Sequence, residues 1–231
     1  MGAKGEEHTS SGTTPKSRKI HGLTVIRAVL YLPRRMRVRL FGLLLVGVGL
    51  VGCNDPFAIL PASRENTVDT LELFAVNGTG LNRPSGYSLT IKGLLRLGID
   101  PPPVLNAPPF DFMYRIDPTA GPQLAPFGAV APVAPTQTES GRPGLQTALT
   151  PFDAITEGEQ IGYTVDKAIT LTPRLVLYAR SSLPNNCFLG IPYYAKIEVL
   201  EVVDSTRSLK FRILTNNNCG YRGLQPGIPT R

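Results

Sequence analysis

Apolar and polar side chains alternate with a period of two along several short stretches of the chain, which is typical of strands with one buried face. The clearest stretch is Leu209–Ile213, in which Leu, Phe and Ile alternate with Lys and Arg. We predict that Leu209–Thr215 pairs with Tyr194–Val203 as an antiparallel hairpin whose turn lies at Asp204–Ser208. The alternation of the first arm breaks at Val199-Leu200, which predicts a β-bulge.

Turn signals separate further segments that have strand composition. The stronger candidates are Thr67–Val76, Tyr87–Ile91, Phe110–Asp117, Ile161–Val165 and Arg174–Arg180, and the weaker ones are Gln146–Leu149 and Leu94–Ile99, the latter as an edge strand or a helical turn. About eight to ten strands without a long amphipathic helix predict an all-β chain. The expected fold is a single antiparallel β-sandwich, immunoglobulin-like or barrel-like, with long proline-rich loops.

Ten prolines fall between Pro101 and Pro135. Proline has no backbone N–H and is excluded from helix interiors and central strands, so this region is irregular apart from the strand predicted within it. One interpretation is an extended proline-rich ligand site or spacer. The favoured interpretation is a set of long loops on the surface of a β-scaffold.

A charge-free run of thirteen residues, Leu40–Gly52, follows the basic segment Met36–Arg39 and ends directly before Cys53. A helix needs about 20 apolar residues to cross a bilayer, whereas the apolar region of a signal peptide has roughly 7–15. The run is therefore predicted to be the core of an export signal that is cleaved near its glycines.

Leu50-Val51-Gly52-Cys53 resembles the lipobox of bacterial lipoproteins, in which Leu, a small or β-branched residue, and Gly or Ala precede the modified Cys. The resemblance implies that the Cys53 thiol receives a diacylglyceryl group and that signal peptidase II cuts between Gly52 and Cys53. Each buried CH₂ of such a chain contributes about 0.8 kcal/mol to membrane anchoring. Asn54 follows the cysteine where the family's inner-membrane proteins carry Asp. The resemblance thus favours the periplasmic face of the outer membrane, or the cell surface, over the inner membrane.

Four segments follow from these patterns. Residues 1–35 are expected to be a disordered extension, or to precede the true translation start at Met36. Residues 36–52 are the predicted signal peptide. Residues 53–66 are predicted to be a lipidated tether that lifts the domain off the membrane, and residues 67–231 to be a β-rich envelope domain.

The formal net charge of +7 lies entirely before Cys53. Nine of the 24 Lys and Arg residues and two of the 17 Asp and Glu residues precede that cysteine, which leaves 15 of each in the mature chain. A nucleic-acid-binding protein normally carries a basic patch, so the mature chain is predicted to have no nucleic-acid partner. Electrostatic attraction to anionic lipid loses its support for the same reason.

Both histidines, His8 and His21, also precede Cys53. Their loss excludes Ser-His and Cys-His nucleophile pairs, histidine zinc sites and metalloproteases of the HExxH type. We therefore predict that the protein is not an enzyme and has no catalytic residues, no cofactor and no metal.

Acidic side chains keep two alternatives open. Pairs of carboxyl groups can perform acid–base chemistry without histidine, as in a glycosidase-like hydrolase, and the candidates by residue type are Asp111, Asp117, Asp153, Glu157 and Glu159. Calcium prefers oxygen ligands, and the candidates for a calcium site are Asp153, Glu157, Glu159 and Asp166, which lack the spacing of an EF-hand loop.

Cys187 and Cys219 flank the predicted hairpin and are the two cysteines that remain once Cys53 is acylated. In an oxidising compartment they are predicted to form a disulfide. Closing a loop of about 33 residues stabilises the fold by roughly 3–4 kcal/mol on the chain-entropy model. A thiol active site or a metal pair is the alternative, but neither histidine nor a Cys-x-x-Cys motif supports it.

Together the patterns predict a membrane-anchored bacterial envelope lipoprotein whose β-domain is a non-catalytic binding, adaptor or structural module. The alternative is a carboxylate-dependent, glycosidase-like envelope hydrolase. The predicted partners are the lipid membrane, through acylated Cys53, and an unidentified envelope protein or polysaccharide. A β-sandwich does not by itself specify an activity, because such scaffolds host many unrelated functions.

Overall fold

Ten strands form two antiparallel sheets in the computed structural model, which describes residues 59–100, 108–131, 141–184, 187 and 189–230. The strands are β1 (Val68–Phe74), β2 (Gly86–Ser88), β3 (Gly93–Leu95), β4 (Phe112–Asp117), β5 (Gly121–Pro126), β6 (Gly144–Ala148), β7 (Ile169–Thr170), β8 (Val176–Arg180), β9 (Tyr194–Val203) and β10 (Ser208–Asn216). Single turns of 3-10 helix lie at Phe127–Ala129 and Phe152–Ala154. The predicted signal peptide and Cys53 lie outside the described residues.

The first sheet has the strand order β1-β10-β9-β8-β6, and the second has the order β3-β2-β4-β5-β7. Every strand pair is antiparallel. The predicted all-β class and antiparallel β-sandwich are confirmed. Of Leu94–Ile99, offered as an edge strand or a helical turn, Leu94 and Leu95 belong to β3 at one edge of the second sheet, and residues 97–99 form a turn.

Apolar side chains from both sheets meet in one core. Phe211 of β10 lies 6.4 Å, between ring centroids, from both Tyr87 of β2 and Phe112 of β4. Tyr87 and Phe112 stack on each other at 5.3 Å. All three rings are at most 1% exposed, and the residues from Ile59 onwards form one compact unit.

The outer face of the first sheet is covered as well. Here side chains of the loop after β6 and of the carboxy-terminal segment pack against the strands, and this second core contains Phe152, Ile155, Tyr163, Val176, Tyr178, Tyr194, Leu214 and Leu224. Strand β8 is therefore buried on both faces. This burial explains why Arg174–Arg180 is apolar on both faces, as predicted for a central strand.

The predicted hairpin and its bulge are confirmed by the register of β9 and β10. Lys210 pairs with Glu201, but the next residue, Phe211, pairs with Val199, so Leu200 is the extra residue of the bulge. The inward side chains of β10, from Leu209 to Ile213, are fully buried. The alternation in the sequence therefore corresponds to a paired strand with one face in the core.

The strand predicted at Tyr87–Ile91 ends earlier than expected. Strand β2 stops at Ser88, because the chain turns at once to pair β3 with β2. Lys92 takes a positive φ of 51° in this turn, and Ile91 is half-exposed. The prediction was wrong beyond Ser88.

The strand predicted at Ile161–Val165 is wrong. This segment makes one isolated bridge, between Thr164 and Leu145. Tyr163 and Val165 are buried while Ile161 is 80% exposed. The period of two arises here because an irregular segment covers the outer face of the first sheet with every second side chain.

Strand β5 was missed because prolines stand at its second and last positions. It pairs with β4 from Gly121 to Pro126, whereas β7 reaches it only at Gln123 and Leu124. Both prolines therefore lie beyond the part of β5 that has a neighbour strand on each side, where a missing N–H is tolerated. Residues 101–107 and 132–140 of the proline-rich region lie outside the described residues.

Candidate functional site

The first described segment, Ile59–Asn66, is fastened to the sandwich, and we call it the strap. The Asn218 side chain holds it. Its Oδ1 accepts hydrogen bonds from the backbone N–H groups of Ser63 (3.0 Å) and Arg64 (2.9 Å), and its Nδ2 donates to the Arg64 carbonyl (2.8 Å). Asn216 fixes Asn218 in turn, because the Asn216 Oδ1 accepts from both the N–H and the Nδ2 of Asn218 at 2.9 Å.

The end of the strap is joined to the carboxy-terminal segment. The backbone groups of Asn66 and Gly227 exchange two hydrogen bonds, of 2.9 and 3.0 Å. The buried Asn66 amide also donates to the Gly223 and Gln225 carbonyls. Of the tether predicted over residues 53–66, the last four residues are thus part of the folded domain, and residues 53–58 lie outside the described residues.

A disulfide joins Cys187 to Cys219, with the Cα atoms 5.2 Å apart. The predicted pairing of these two cysteines is present. Cys219 directly follows Asn218, so the residue that holds the strap stands beside the covalent link. The disulfide therefore fixes the base of the hairpin at the point where the strap is bound.

The strap, the disulfide and the carboxy-terminal segment lie at one end of the sandwich, which we call the strap end. Val68 at the start of β1 pairs with Leu214, and Tyr194 at the start of β9 pairs with Asn216. The turn between β9 and β10 lies at the opposite end. Because β9 has ten residues that rise about 3.3 Å each, the two ends are about 30 Å apart.

Three cavities open around the segment from Asn217 to Thr230. The largest, of about 440 Å³, lies between this segment and Thr156-Glu157. One of about 330 Å³ is lined by Gln160, Arg180, Tyr194 and Arg222, and one of about 170 Å³ lies between the strap and Tyr221. Small-molecule sites usually measure about 300–1,000 Å³, so two of the cavities have the size of a binding site.

The 330 Å³ cavity has a mixed polar and aromatic lining. The guanidinium group of Arg222 donates to the Gly158 carbonyl (2.9 Å) and pairs with Glu157 (3.1 Å). The guanidinium carbon of Arg180 lies 4.9 Å above the centre of the Tyr163 ring. These contacts hold both arginines in place, which gives the wall of the cavity a fixed shape.

Asp111, one of the carboxyl groups considered for a hydrolase, is buried inside the sandwich. Its two oxygens accept hydrogen bonds from the N–H groups of Leu89 (2.7 Å) and Ser182 (3.0 Å). Burial raises the pKa of Asp111 to about 6, although these hydrogen bonds lower it. A glycosidase acid also has a raised pKa, but Asp111 is only 4% exposed and does not line any of the three cavities.

The other acidic candidates lie apart from Asp111 and serve the fold or face solvent. Asp117 accepts hydrogen bonds from the N–H groups of Thr119 and Ala120, which lowers its pKa. Asp153 pairs with Arg212 at 2.9 Å, and Glu157 is the partner of Arg222. Glu159 and Asp166 are exposed.

Within residues 59–230, as far as they are described, no three His, Cys, Asp or Glu side chains lie close enough together to hold a metal ion. The structure therefore does not bring the four calcium candidates together. The described part of the chain also contains no helix that is long and apolar enough to cross a membrane.

Sequence reasoning missed the residues that build the strap end. Asn66 and Asn216 are at most 1% exposed, and Asn217 and Asn218 are each 5% exposed. The signal that could have revealed them is the run Asn216-Asn217-Asn218 directly before Cys219. Buried asparagines need hydrogen-bond partners, and three in sequence beside a disulfide indicate a segment that binds another part of the backbone.

Comparison of the chain with protein-family models, with curated proteins and with solved structures finds no match.

Proposed function

We propose that the protein is a membrane-anchored lipoprotein of the bacterial cell envelope whose β-sandwich is a non-catalytic binding, adaptor or structural module. The observation that carries the proposal is Leu50-Val51-Gly52-Cys53 at the end of a charge-free run behind a basic segment. Acyl chains on Cys53 hold the domain at the periplasmic face of the outer membrane or at the cell surface.

The disulfide supports an envelope location. Disulfides form and persist in oxidising compartments such as the periplasm and the cell surface, and they are rare in the cytosol. Cys187 and Cys219 are the two cysteines beyond Cys53, and they are paired. A chain whose remaining thiols are joined in this way suits export.

The positions of the polar side chains support a binding role over a catalytic one. The buried carboxyl of Asp111 bonds to the backbone, and Asp153 and Glu157 pair with arginines. The cavities around Asn217–Thr230 offer concave surface with arginine, glutamine and tyrosine side chains. An envelope protein or a polysaccharide is the proposed partner.

Mass spectrometry of the protein from bacterial membranes tests the anchor. The full chain and its Cys53→Ser variant are produced in a bacterium that processes lipoproteins, and their amino-terminal peptides are compared. We expect a terminus at Cys53 that carries acyl chains and disappears in the variant. A variant with both Cys187→Ser and Cys219→Ser serves as the control and should still be acylated.

A soluble chain whose amino terminus lies upstream of Cys53 and carries no lipid would overturn the lipoprotein assignment. The binding role has a separate test, which uses a photo-reactive residue placed at exposed Gln160, beside the 330 Å³ cavity, or at Thr119 in the β4–β5 turn. We expect a cross-linked envelope component at Gln160 and none at Thr119. Equal labelling at both positions would contradict binding at the cavity.

A further inference from the structure

The proposed acylation of Cys53, on which this inference rests, leaves little free chain between the lipid and the domain. Five residues separate Cys53 from Ile59, and a fully extended chain spans at most about 3.3–3.6 Å per residue. The Cα atoms of Cys53 and Ile59 are therefore at most about 22 Å apart. A folded unit of this size has a radius of gyration of about 16 Å, which for a sphere corresponds to a diameter of about 40 Å, so the anchor is shorter than the domain is wide.

Large apolar side chains are exposed at the strap end. Ile59 and Leu60 are 47% and 69% exposed, and Ile228 is 60% exposed. Ile228 follows Gly227, which is paired with Asn66 of the strap. Removing such side chains from water is favourable, in proportion to the apolar area that is buried.

Charged groups on the strap and beside it are balanced. Arg64 and Lys92 bring two positive charges, and Glu65 and Asp69 bring two negative charges. Lys92 is fixed close to the strap because its Nζ donates to the Glu65 carbonyl at 3.1 Å. A surface of this kind suits apolar contact with zwitterionic lipid rather than electrostatic attraction to anionic lipid.

We propose that the strap end is a membrane-contact surface, on which Ile59, Leu60 and Ile228 contact the boundary between headgroups and acyl chains of a phospholipid bilayer. The short anchor makes this contact intramolecular, with an effective concentration in the millimolar range or above. A modest gain in free energy, from burying these three side chains in part in the lipid, is then enough to hold the domain against the bilayer. The turn between β9 and β10 points away from the membrane.

Single tryptophans test the orientation, because the chain contains no tryptophan of its own. Leu60→Trp and Ile228→Trp place the probe at the strap end, and Ser205→Trp places it at the exposed turn about 30 Å away. Each acylated full-length variant is reconstituted in phosphatidylcholine vesicles with and without brominated acyl chains. We expect bromine to quench the probes at 60 and 228 severalfold more than the probe at 205.

The probe at Ile228 decides between docking and mere attachment. Position 60 is close to Cys53 in sequence and stays near the bilayer in either case, whereas position 228 reaches the lipid only if the folded end of the domain lies on it. If Ile228→Trp is quenched no more than Ser205→Trp, the proposal is wrong. Should Ile228→Trp fail to fold, Ile91→Trp, half-exposed beside Lys92, replaces it with the same expected result.

Two outcomes distinguish a failure of this inference from a failure of the lipoprotein assignment on which it rests. Acylated protein whose probes at positions 205 and 228 are quenched equally, with the probe at position 60 quenched more strongly than both, overturns the membrane-contact surface and leaves the lipoprotein assignment intact. Protein without acyl chains that does not float with vesicles overturns both. Quenching at position 228 should persist at high salt, and its loss there would contradict an apolar contact.

Discussion

At the scale of single residues, one buried carboxyl joins three segments of the sandwich. Asp111 lies just before β4, and its oxygens accept the N–H groups of Leu89, after β2, and Ser182, after β8. Burial opposes the charge that these two donors favour, and the balance leaves its pKa at about 6. The group therefore titrates close to physiological pH without facing solvent.

Asp111 should make the stability of the fold depend on pH. A carboxyl whose pKa is higher in the folded than in the unfolded chain stabilises the fold fully below its ordinary pKa, and this contribution is lost as pH rises through about 6. Between about pH 4.5 and pH 7.5 we expect the wild type to lose about 2 kcal/mol of unfolding free energy relative to Asp111→Asn. Urea unfolding of both proteins at the two pH values measures this loss. A difference between them that stays constant with pH would contradict it.

The Asn218 side chain should hold the strap in place without supporting the rest of the sandwich. Asn218→Ala removes three hydrogen bonds to Ser63 and Arg64. We expect this change to lower the free energy that holds the strap on the sandwich by about 1–3 kcal/mol. Amide hydrogen exchange should accelerate at residues 63–66 and stay slow in β9 and β10. Asn82→Ala, at an exposed asparagine, is the matched control and should leave exchange at the strap unchanged. Faster exchange throughout the sheets would show that Asn218 supports the whole fold instead.

At the scale of elements, local sequence patterns predicted those strands that have one buried face and one exposed face. Strand β10 alternates cleanly from Leu209 to Ile213, because Leu209 and Phe211 enter the core while Lys210 faces solvent. The same pattern misled at Ile161–Val165, where burial of alternate side chains occurs without strand pairing. A period of two shows which side chains are buried, but it does not show whether the backbone pairs with another strand.

The contacts at the strap end could not be predicted from local sequence patterns, for a different reason. Asn218 and Ser63 are 155 positions apart, and no pattern within a short window encodes which backbone an asparagine will bind. The disulfide was predictable, because two cysteines remain once Cys53 is set aside as the predicted acylation site, and two cysteines allow a single pairing. The cavities were not, since they lie between segments that meet only in the folded chain.

The disulfide should stabilise the element that it closes. Its cysteines are 32 positions apart, and a loop of that size predicts a loss of roughly 3–4 kcal/mol on reduction. Denaturant unfolding with and without a reducing agent measures the loss. A variant with both Cys187→Ser and Cys219→Ser should be equally destabilised and no longer respond to the reducing agent. Equal stability of the oxidised and reduced wild type would contradict the prediction.

At the scale of the whole molecule, the two sheets should unfold together because they share one aromatic core. Phe211→Ala removes the ring that contacts Tyr87 and Phe112 of the second sheet, and we expect a loss of about 3–5 kcal/mol. Leu149→Ala, at a fully exposed leucine, should change stability by no more than about 0.5 kcal/mol. Near- and far-ultraviolet circular dichroism should give the same midpoint in each protein. Two separate transitions in the wild type would show that the sheets are independent.

The position of the strap decides how the domain responds to tension. Strand β1 starts beside the strap and runs towards the turn between β9 and β10, along its antiparallel neighbour β10. A pull between the strap and the turn between β9 and β10 therefore acts along the strand axis, across hydrogen bonds that lie perpendicular to it. Those bonds share the load in shear and do not peel apart one by one. The register of β1 and β10 therefore resists a pull along the strand axis better than a pull that separates the two strands from one end.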